Sequence, residues 1–319
     1  MKRCARHQHG VALAEVMVAM ALGMLVVLLA CGMLVLANGA YRMHSEHVWL
    51  NDGGHYAMDI IGQAVRQGAF INWDGEMAPG AYDATASAAI GGLDASSLTR
   101  GGAGIEHPLA PVAHGSDVLM LRFGGSGGTA NGDGSAINCA GFGVADNQGA
   151  DARGWSIFYV ANDAEGEPEL RCKYRSASGW GADAIVRGVD SFQVLYGVDL
   201  DTPPDGVPDT YLNASAVNAL DASLTLAGAT PDEQRRDLNR KTYWKRVHTV
   251  KVALLLHGDV HTRPDGTPVV YDLFGTAYAD AHAGDDPGVR VAEQTMEPAQ
   301  QRRARRLFVA LFQLRNRSI

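Results

Sequence analysis

Residues 11–37 read VALAEVMVAMALGMLVVLLACGMLVLA, 27 positions with a single charged side chain, Glu15. As a helix this run is about 40 Å long, more than the ~30 Å hydrocarbon core of a bilayer requires. The ten residues before it, MKRCARHQHG, hold Lys2, Arg3 and Arg6 and no acid. Basic residues ahead of a spanning helix, with none directly after it, predict a cytoplasmic N-terminus and export of everything that follows. A secretory signal would have a shorter apolar core ending at a small-residue cleavage site, and this run extends well past that length.

Glu15 is the residue that an ordinary anchor does not explain. A carboxylate inside an apolar segment costs on the order of 2–3 kcal/mol on insertion scales, so it needs a partner or a function. Cleavage after Gly10 would free the α-amino group of Val11 one helical turn from Glu15. Amine, helix dipole and acid would then compensate one another, within one subunit or between neighbours. The other reading is an acid tolerated near the membrane edge.

Outward from the apolar run, no proline occurs before Pro79, so the helix is free to continue to about Arg66. Tyr56, Ile60 and Ala64, flanked by Ile61 and Val65, give it an apolar stripe on which a domain can pack. Gly23, Gly32 and Gly39 weaken it by about 1 kcal/mol each relative to alanine. After Phe70 the texture turns to Gly, Ala, Ser and Asp, interrupted by β-like runs at Val118–Phe123, Trp155–Ala161, Leu170–Arg175, Val189–Val198, Val247–Leu256 and Leu307–Leu314. Helical texture there is weak apart from Asn213–Leu226, and Gly124–Asp151 is too rich in glycine for any assignment. The expected fold class is α+β, a long N-terminal helix packed on a mostly antiparallel sheet. The expected division is a basic leader 1–10, a helix 11–68 that spans the membrane over 11–37, and one exported β-rich domain 69–319.

The formal charge is −8, and without the basic leader it is −11. Such an acidic body lacks the positive surface that displaces counterions from phosphates, so nucleic acid is not an expected partner. Of four cysteines, Cys4 lies in the leader and Cys31 in the apolar run, leaving Cys139 and Cys172 in the exported part. Two cysteines there read as one disulfide, which would staple the Gly-rich loop to a strand; two free buried thiols are the alternative.

Several motifs carry candidate chemistry. Asp199, Asp201, Asp205 and Asp209, with Gly206 after the third, have the alternation of a loop that wraps Ca²⁺, although Thr202-Pro203-Pro204 widens the spacing; the alternative is an acidic, solvated turn. Gly124-Gly125-Ser126-Gly127-Gly128 matches a nucleophile elbow in letters, but no helix follows it, and a loop is expected. His257 and His261 have a metal-pair spacing only on a helix, and they follow a strand. Arg302, Arg303, Arg305, Arg306, Arg315 and Arg317 bracket Leu307–Phe312, which is apolar on both faces. That pattern predicts an inner strand with arginines at its solvated edges; the alternative is that they contact DNA or anionic lipid.

The segment Gly10-Val11-Ala12-Leu13-Ala14-Glu15 resembles the type III signal of type IV prepilins. The resemblance implies cleavage after Gly10 by a prepilin peptidase, methylation of the new N-terminus at Val11, and a role for Glu15 in docking a subunit into the growing fibre. Val11, Ala12 and Ala14 stand where that family usually has Phe or Met, Thr or Ser, and Ile or Val. Further blocks, at Ala57–Phe70, Ser116–Arg122, Glu169–Cys172, Val189–Asp199 and Arg305–Arg317, resemble the PilW-type minor pilins in order and spacing. What this implies is a pilin-like fold and a non-enzymatic minor pilin of the inner membrane and the fibre tip, active in pilus assembly and initiation and supporting twitching motility and adhesion. Implied partners are other minor pilins and the major pilin through their N-terminal helices, the prepilin peptidase, the inner-membrane assembly platform and membrane lipid. No cofactor is implied beyond the structural Ca²⁺ considered above. A minor pseudopilin of a type II secretion system shares the leader, helix and fold class, and a membrane-anchored periplasmic binding or enzymatic domain is the reading from another class.

Overall fold

The computed structural model describes residues 13–72, 83–129, 131–146, 153–176, 178–259, 262–263 and 267–316. A single helix, α1 (Leu13–Gln67), takes up the N-terminal part, in keeping with the absence of proline. By internal contacts the chain forms two units, Met1–Val48 and Trp49–Ile319, so the unit boundary falls inside α1.

In the first unit the large apolar side chains of α1, from Leu13 to Leu36, are exposed. The helix is long and apolar enough to cross a membrane. Glu15 sits in its first turn, where a negative charge complements the helix dipole.

In the second unit α1 is amphipathic. Leu50, Gly54, Ala57, Ile61, Ala64, Val65 and Gly68 are buried at spacings of three and four, one face of a helix. Tyr56, expected on that face, is 58% exposed, and Ile60 is only partly covered. The true stripe is set by glycines that the sequence pattern does not count as apolar: a Cβ on Gly54 would lie 2.2 Å from two ring carbons of Phe308, and one on Gly62 would lie 2.6 Å from Phe312. The helix ends where Ala69 turns to φ +58° and its amide bonds to the Arg122 carbonyl. The Asn316 carboxamide donates to the carbonyl of Gly68 at 3.0 Å, satisfying one of the orphan acceptors of the last turn.

Two antiparallel sheets follow. The first has the order β1 (Ile90–Leu93), β2 (Val118–Phe123), β3 (Gly154–Asn162), β4 (Pro168–Ser176), β5 (Gly179–Arg187). The second has the order β11 (Arg305–Gln313), β8 (Val247–His257), β6 (Val189–Val198), β7 (Thr210–Leu212). A two-stranded ribbon pairs β9 (Val270–Asp272) with β10 (Arg290–Ala292). The main core joins Leu50, Ala57, Ile61 and Val65 of α1 to Leu119, Leu121, Phe158 and Val160 of the first sheet and Phe192, Val194, Val252, Leu254 and Phe308 of the second.

Helices α2 (Ala214–Ala222) and α3 (Pro231–Lys241) lie between β7 and β8, and the short α4 (Thr276–His282) and α5 (Pro298–Gln301) follow β9 and β10. α2 starts where Asn213 accepts the Ala216 amide, and α3 starts in a capping box formed by Thr230 and Glu233.

The C-terminal strand departs from expectation. β11 is an end strand, paired on one side only, with β8 from Arg305↔His257 to Gln313↔Thr249. Phe308 and Phe312 turn to the main core and Leu307 to a small cluster with Leu255, Leu273 and Val291, while Val309 is 46% and Leu311 57% exposed. The strand buried along its whole length is β6.

Candidate functional site

The processing residues Gly10 and Val11 lie outside the described residues, and Glu15 is the first acid of α1. The apolar segment that follows presents its side chains outward, with Gly23, Gly32 and Gly39 having no neighbour within 4 Å of an added Cβ and Cys31 an exposed thiol. Such a rod can lie in lipid or against other apolar helices.

Cys139 and Cys172 are joined in a disulfide, Cα–Cα 5.8 Å. Cys172 sits on β4 opposite Phe158 and Asp183, and the Cys139 amide donates to the Ser156 hydroxyl at 2.9 Å. The bridge therefore fastens the Gly-rich loop to the first sheet, the geometry the sequence predicts.

In the acidic loop, one oxygen each of Asp199, Asp201 and Asp209 lies within 4.8 Å of the others. Asp205 is not in this group; its carboxylate takes the Val207 amide at 2.7 Å. Asp199 is buried and accepts amides of Asp201 and Gly206, which outweigh the effect of burial and hold its carboxyl below the usual range. The charge of Asp209, with lesser contributions from burial and the other acids, raises Asp201.

The other motifs resolve into structure. Ser126 donates its hydroxyl to Asp133 at 2.8 Å inside an irregular loop, with no helix behind it among the described residues. His261 is outside the described residues. His257 is buried, with Nδ1 2.8 Å from Asp190 and Nε2 hydrogen-bonded to Glu167, so both ring nitrogens face carboxylates.

The C-terminal arginines need a correction, because two of them are not solvated edges. The Arg305 side chain is fully buried: Nε donates to Asp190 at 2.6 Å, Nη1 to Glu293 at 2.9 Å and Nη2 to the Gln300 carbonyl at 2.8 Å. Arg303 donates to Glu167 at 2.8 Å, and Arg263 holds Glu293 with two bonds of 2.7 and 2.8 Å. Burial pushes Asp190 and Glu293 up, but His257 and Arg305 on the one, and Arg263, the Val269 amide and Arg305 on the other, bring both below the usual carboxylate range. Pairing within one strand's alternation cannot reveal this network, since its acids come from β6, the segment after β10 and the β3–β4 loop. Arg306, in contrast, is exposed, as expected of an edge residue.

Comparison with known proteins fits this anatomy. A model of the prokaryotic N-terminal methylation motif matches residues 5–30, the span that holds Gly10, Val11, Glu15 and the start of the apolar run. No curated protein matches the chain. Among solved structures, a type IV-like pilin from Thermus thermophilus aligns over 85% of this chain and 98% of its own at 12% identity, with a TM-score of 0.38. The model described as type IV pilus-assembly protein W matches residues 157–316, half of the chain and the part that holds β4, the second sheet and the C-terminal strand. The chain belongs to the PilW family of type IV pilus-assembly proteins.

Proposed function

We propose that this minor pilin is cut after Gly10, methylated on Val11, and held in the inner membrane by α1 with its N-terminus in the cytoplasm and its domain in the periplasm. It then leaves the membrane through the assembly platform, joins other minor pilins and the major pilin at the fibre tip, starts polymerisation, and so supports twitching motility and adhesion. One observation carries the reading: an acid in the first turn of a helix whose apolar side chains are exposed from Leu13 to Leu36, within the span of the matched methylation motif. A neighbour's freed amine would compensate that acid during docking.

Glu15→Ala tests it. The variant is expected to be made and trimmed, with N-methyl Val11 found by mass spectrometry, yet to be absent from sheared fibres. Entry of the variant into fibres at the normal level refutes the docking role, and an intact Met1 on the native protein refutes the processing. A deletion strain that keeps its pili and loses protein secretion would place the chain in a type II secretion system instead.

Calcium in the acidic loop belongs to the same proposal. Its support is the convergence of Asp199, Asp201 and Asp209, with Asp205 outside the group. A calcium-dependent rise in unfolding temperature that is smaller in Asp201→Asn than in the native chain would bear it out, and an equal rise in both would remove it.

A further inference from the structure

Three carboxylates meet inside the domain with no positive group beside them. Asp117, at the entrance to β2, and Asp286, after α4, are each 1% exposed, and Asp94, after β1, is half-buried. One oxygen of each lies within 4.8 Å of the other two. Among the described residues no lysine, arginine or histidine forms an ion pair with any of them. Like charges gathered in a desolvated space oppose one another unless a countercharge is present.

Hydrogen bonds use only part of this donor set. Asp94 accepts the amides of Ala214 at 2.8 Å and Ser215 at 2.6 Å, at the start of α2. Asp117 accepts those of Ala95 at 3.0 Å and Val194 at 2.9 Å. The hydroxyl of Tyr278 donates to Asp286 Oδ2 at 2.9 Å and the Asn213 side chain also interacts with this carboxylate, but its Oδ1 is buried and makes no hydrogen bond of good geometry. The hydroxyl of Tyr196, whose phenol feels the charges of Asp117 and Asp94, is a second buried oxygen without a partner. A carboxylate oxygen that already accepts one amide keeps a further lone pair.

We propose that Asp94, Asp117 and Asp286 hold one hard divalent cation, calcium, in the interior of the domain, at a site separate from the Asp199 loop. The donors are all oxygen, the ligand type that calcium and magnesium take and that thiophilic metals do not favour. The cation supplies the missing countercharge and a partner for the orphaned oxygen of Asp286. Through Asp94 it fixes the start of α2, through Asp117 the junction of β2 with β6, and through Asp286 the segment after α4, so it fastens the two sheets to the C-terminal third of the chain. This inference does not depend on the pilus reading.

The test uses the full chain in detergent, stripped with EDTA and returned to calcium chloride, magnesium chloride or sodium chloride. Calcium at a hundredfold excess over its dissociation constant is expected to raise the unfolding temperature by about 5 °C or more. Terbium in its place is expected to luminesce on tyrosine excitation. Asp201→Asn keeps the terbium signal and a thermal response, whereas Asp286→Asn loses the terbium signal and lowers the thermal response. Should Asp286→Asn fail to fold, Asp94→Asn, at the half-exposed ligand, carries the same expectation. No thermal response and no terbium signal in the native chain would overturn the proposal. So would responses that survive in Asp286→Asn or Asp94→Asn and vanish in Asp201→Asn, because the ion would then belong to the acidic loop.

Discussion

Arg305 gives the sharpest test of how the C-terminal strand is held. Arg305→Met keeps most of the apolar stem and removes a guanidinium that is fully buried and bonded to Asp190, Glu293 and the Gln300 carbonyl. Breaking a buried pair from one side costs about 3–5 kcal/mol, because the other charge is left without compensation. Here Asp190 keeps His257 and Glu293 keeps Arg263, which places the expected loss near the lower end, about 3 kcal/mol. Arg306→Ala, one residue along and exposed, should cost about 0.5 kcal/mol or less. Urea unfolding of the full chain in detergent, followed by tryptophan fluorescence, reads both.

The same pair of variants predicts a pH dependence. Carboxylates held below their usual range contribute stability above the unfolded pKa of about 4 and lose it as pH falls through the folded value. The native domain should therefore weaken below about pH 4 as Asp190 and Glu293 take up protons. The penalty of Arg305→Met should shrink over the same range. A penalty at pH 7 no larger than that of Arg306→Ala, or one unchanged at pH 3, would refute the argument and restore the solvated-edge picture of this strand.

Two further outcomes follow from packing and covalent structure. Replacing Cys139 and Cys172 together by serine should cost roughly 3–4 kcal/mol on the chain-entropy model for a separation of 33 residues, read as a lower urea midpoint that added reductant does not shift further. Gly54→Ala gains about 1 kcal/mol of helix propensity but drives a Cβ to 2.2 Å from the Phe308 ring, an overpacking cost of about 1–3 kcal/mol, so a net loss near 1 kcal/mol is expected. Phe308→Leu in the same chain should make Gly54→Ala neutral or favourable; equal effects in both backgrounds would show that the two residues do not meet.

Much of the fold was legible because its signals are local. The basic leader, the 27-residue apolar run and Glu15 are contiguous, and β2 and β6 have the bounds their β-branched and aromatic runs announce. What escaped reading depends on distant neighbours. The first half of β5 holds Gly179, Gly181, Ala182 and Asp183, poor strand formers that join the strand because β4 supplies the partner. α3 holds one apolar residue, Leu238, so periodicity is silent, although Thr230-Pro231-Asp232-Glu233 carries a helix start that reading for apolar stripes passes over. Leu307–Phe312 looked doubly buried because both faces are apolar, yet only one neighbour strand exists and Val309 and Leu311 are left outside. The buried acids behave likewise: Asp94, Asp117 and Asp286 lie on three separate segments, and no spacing rule connects them.

The burial pattern of α1 also bears on which residues are left for assembly. From Leu50 to Gly68 its inner face is consumed by Phe308, Phe312 and the strands of its own domain, so that face offers nothing to a neighbouring subunit. From Leu13 to Leu36 the large apolar side chains are exposed, a surface that water does not tolerate and that lipid or other apolar helices can cover. Within this stretch and just beyond it, Gly23, Gly32 and Gly39 leave open notches, and small residues are what allow helices to approach closely where dispersion rather than hydrophobicity drives association. On the proposed reading, helix-to-helix contacts in a fibre draw on the first unit, with Glu15 at its leading end. Substitutions on the outer face of the globular unit should act instead on its lateral neighbours or on adhesion, and leave insertion of the rod untouched.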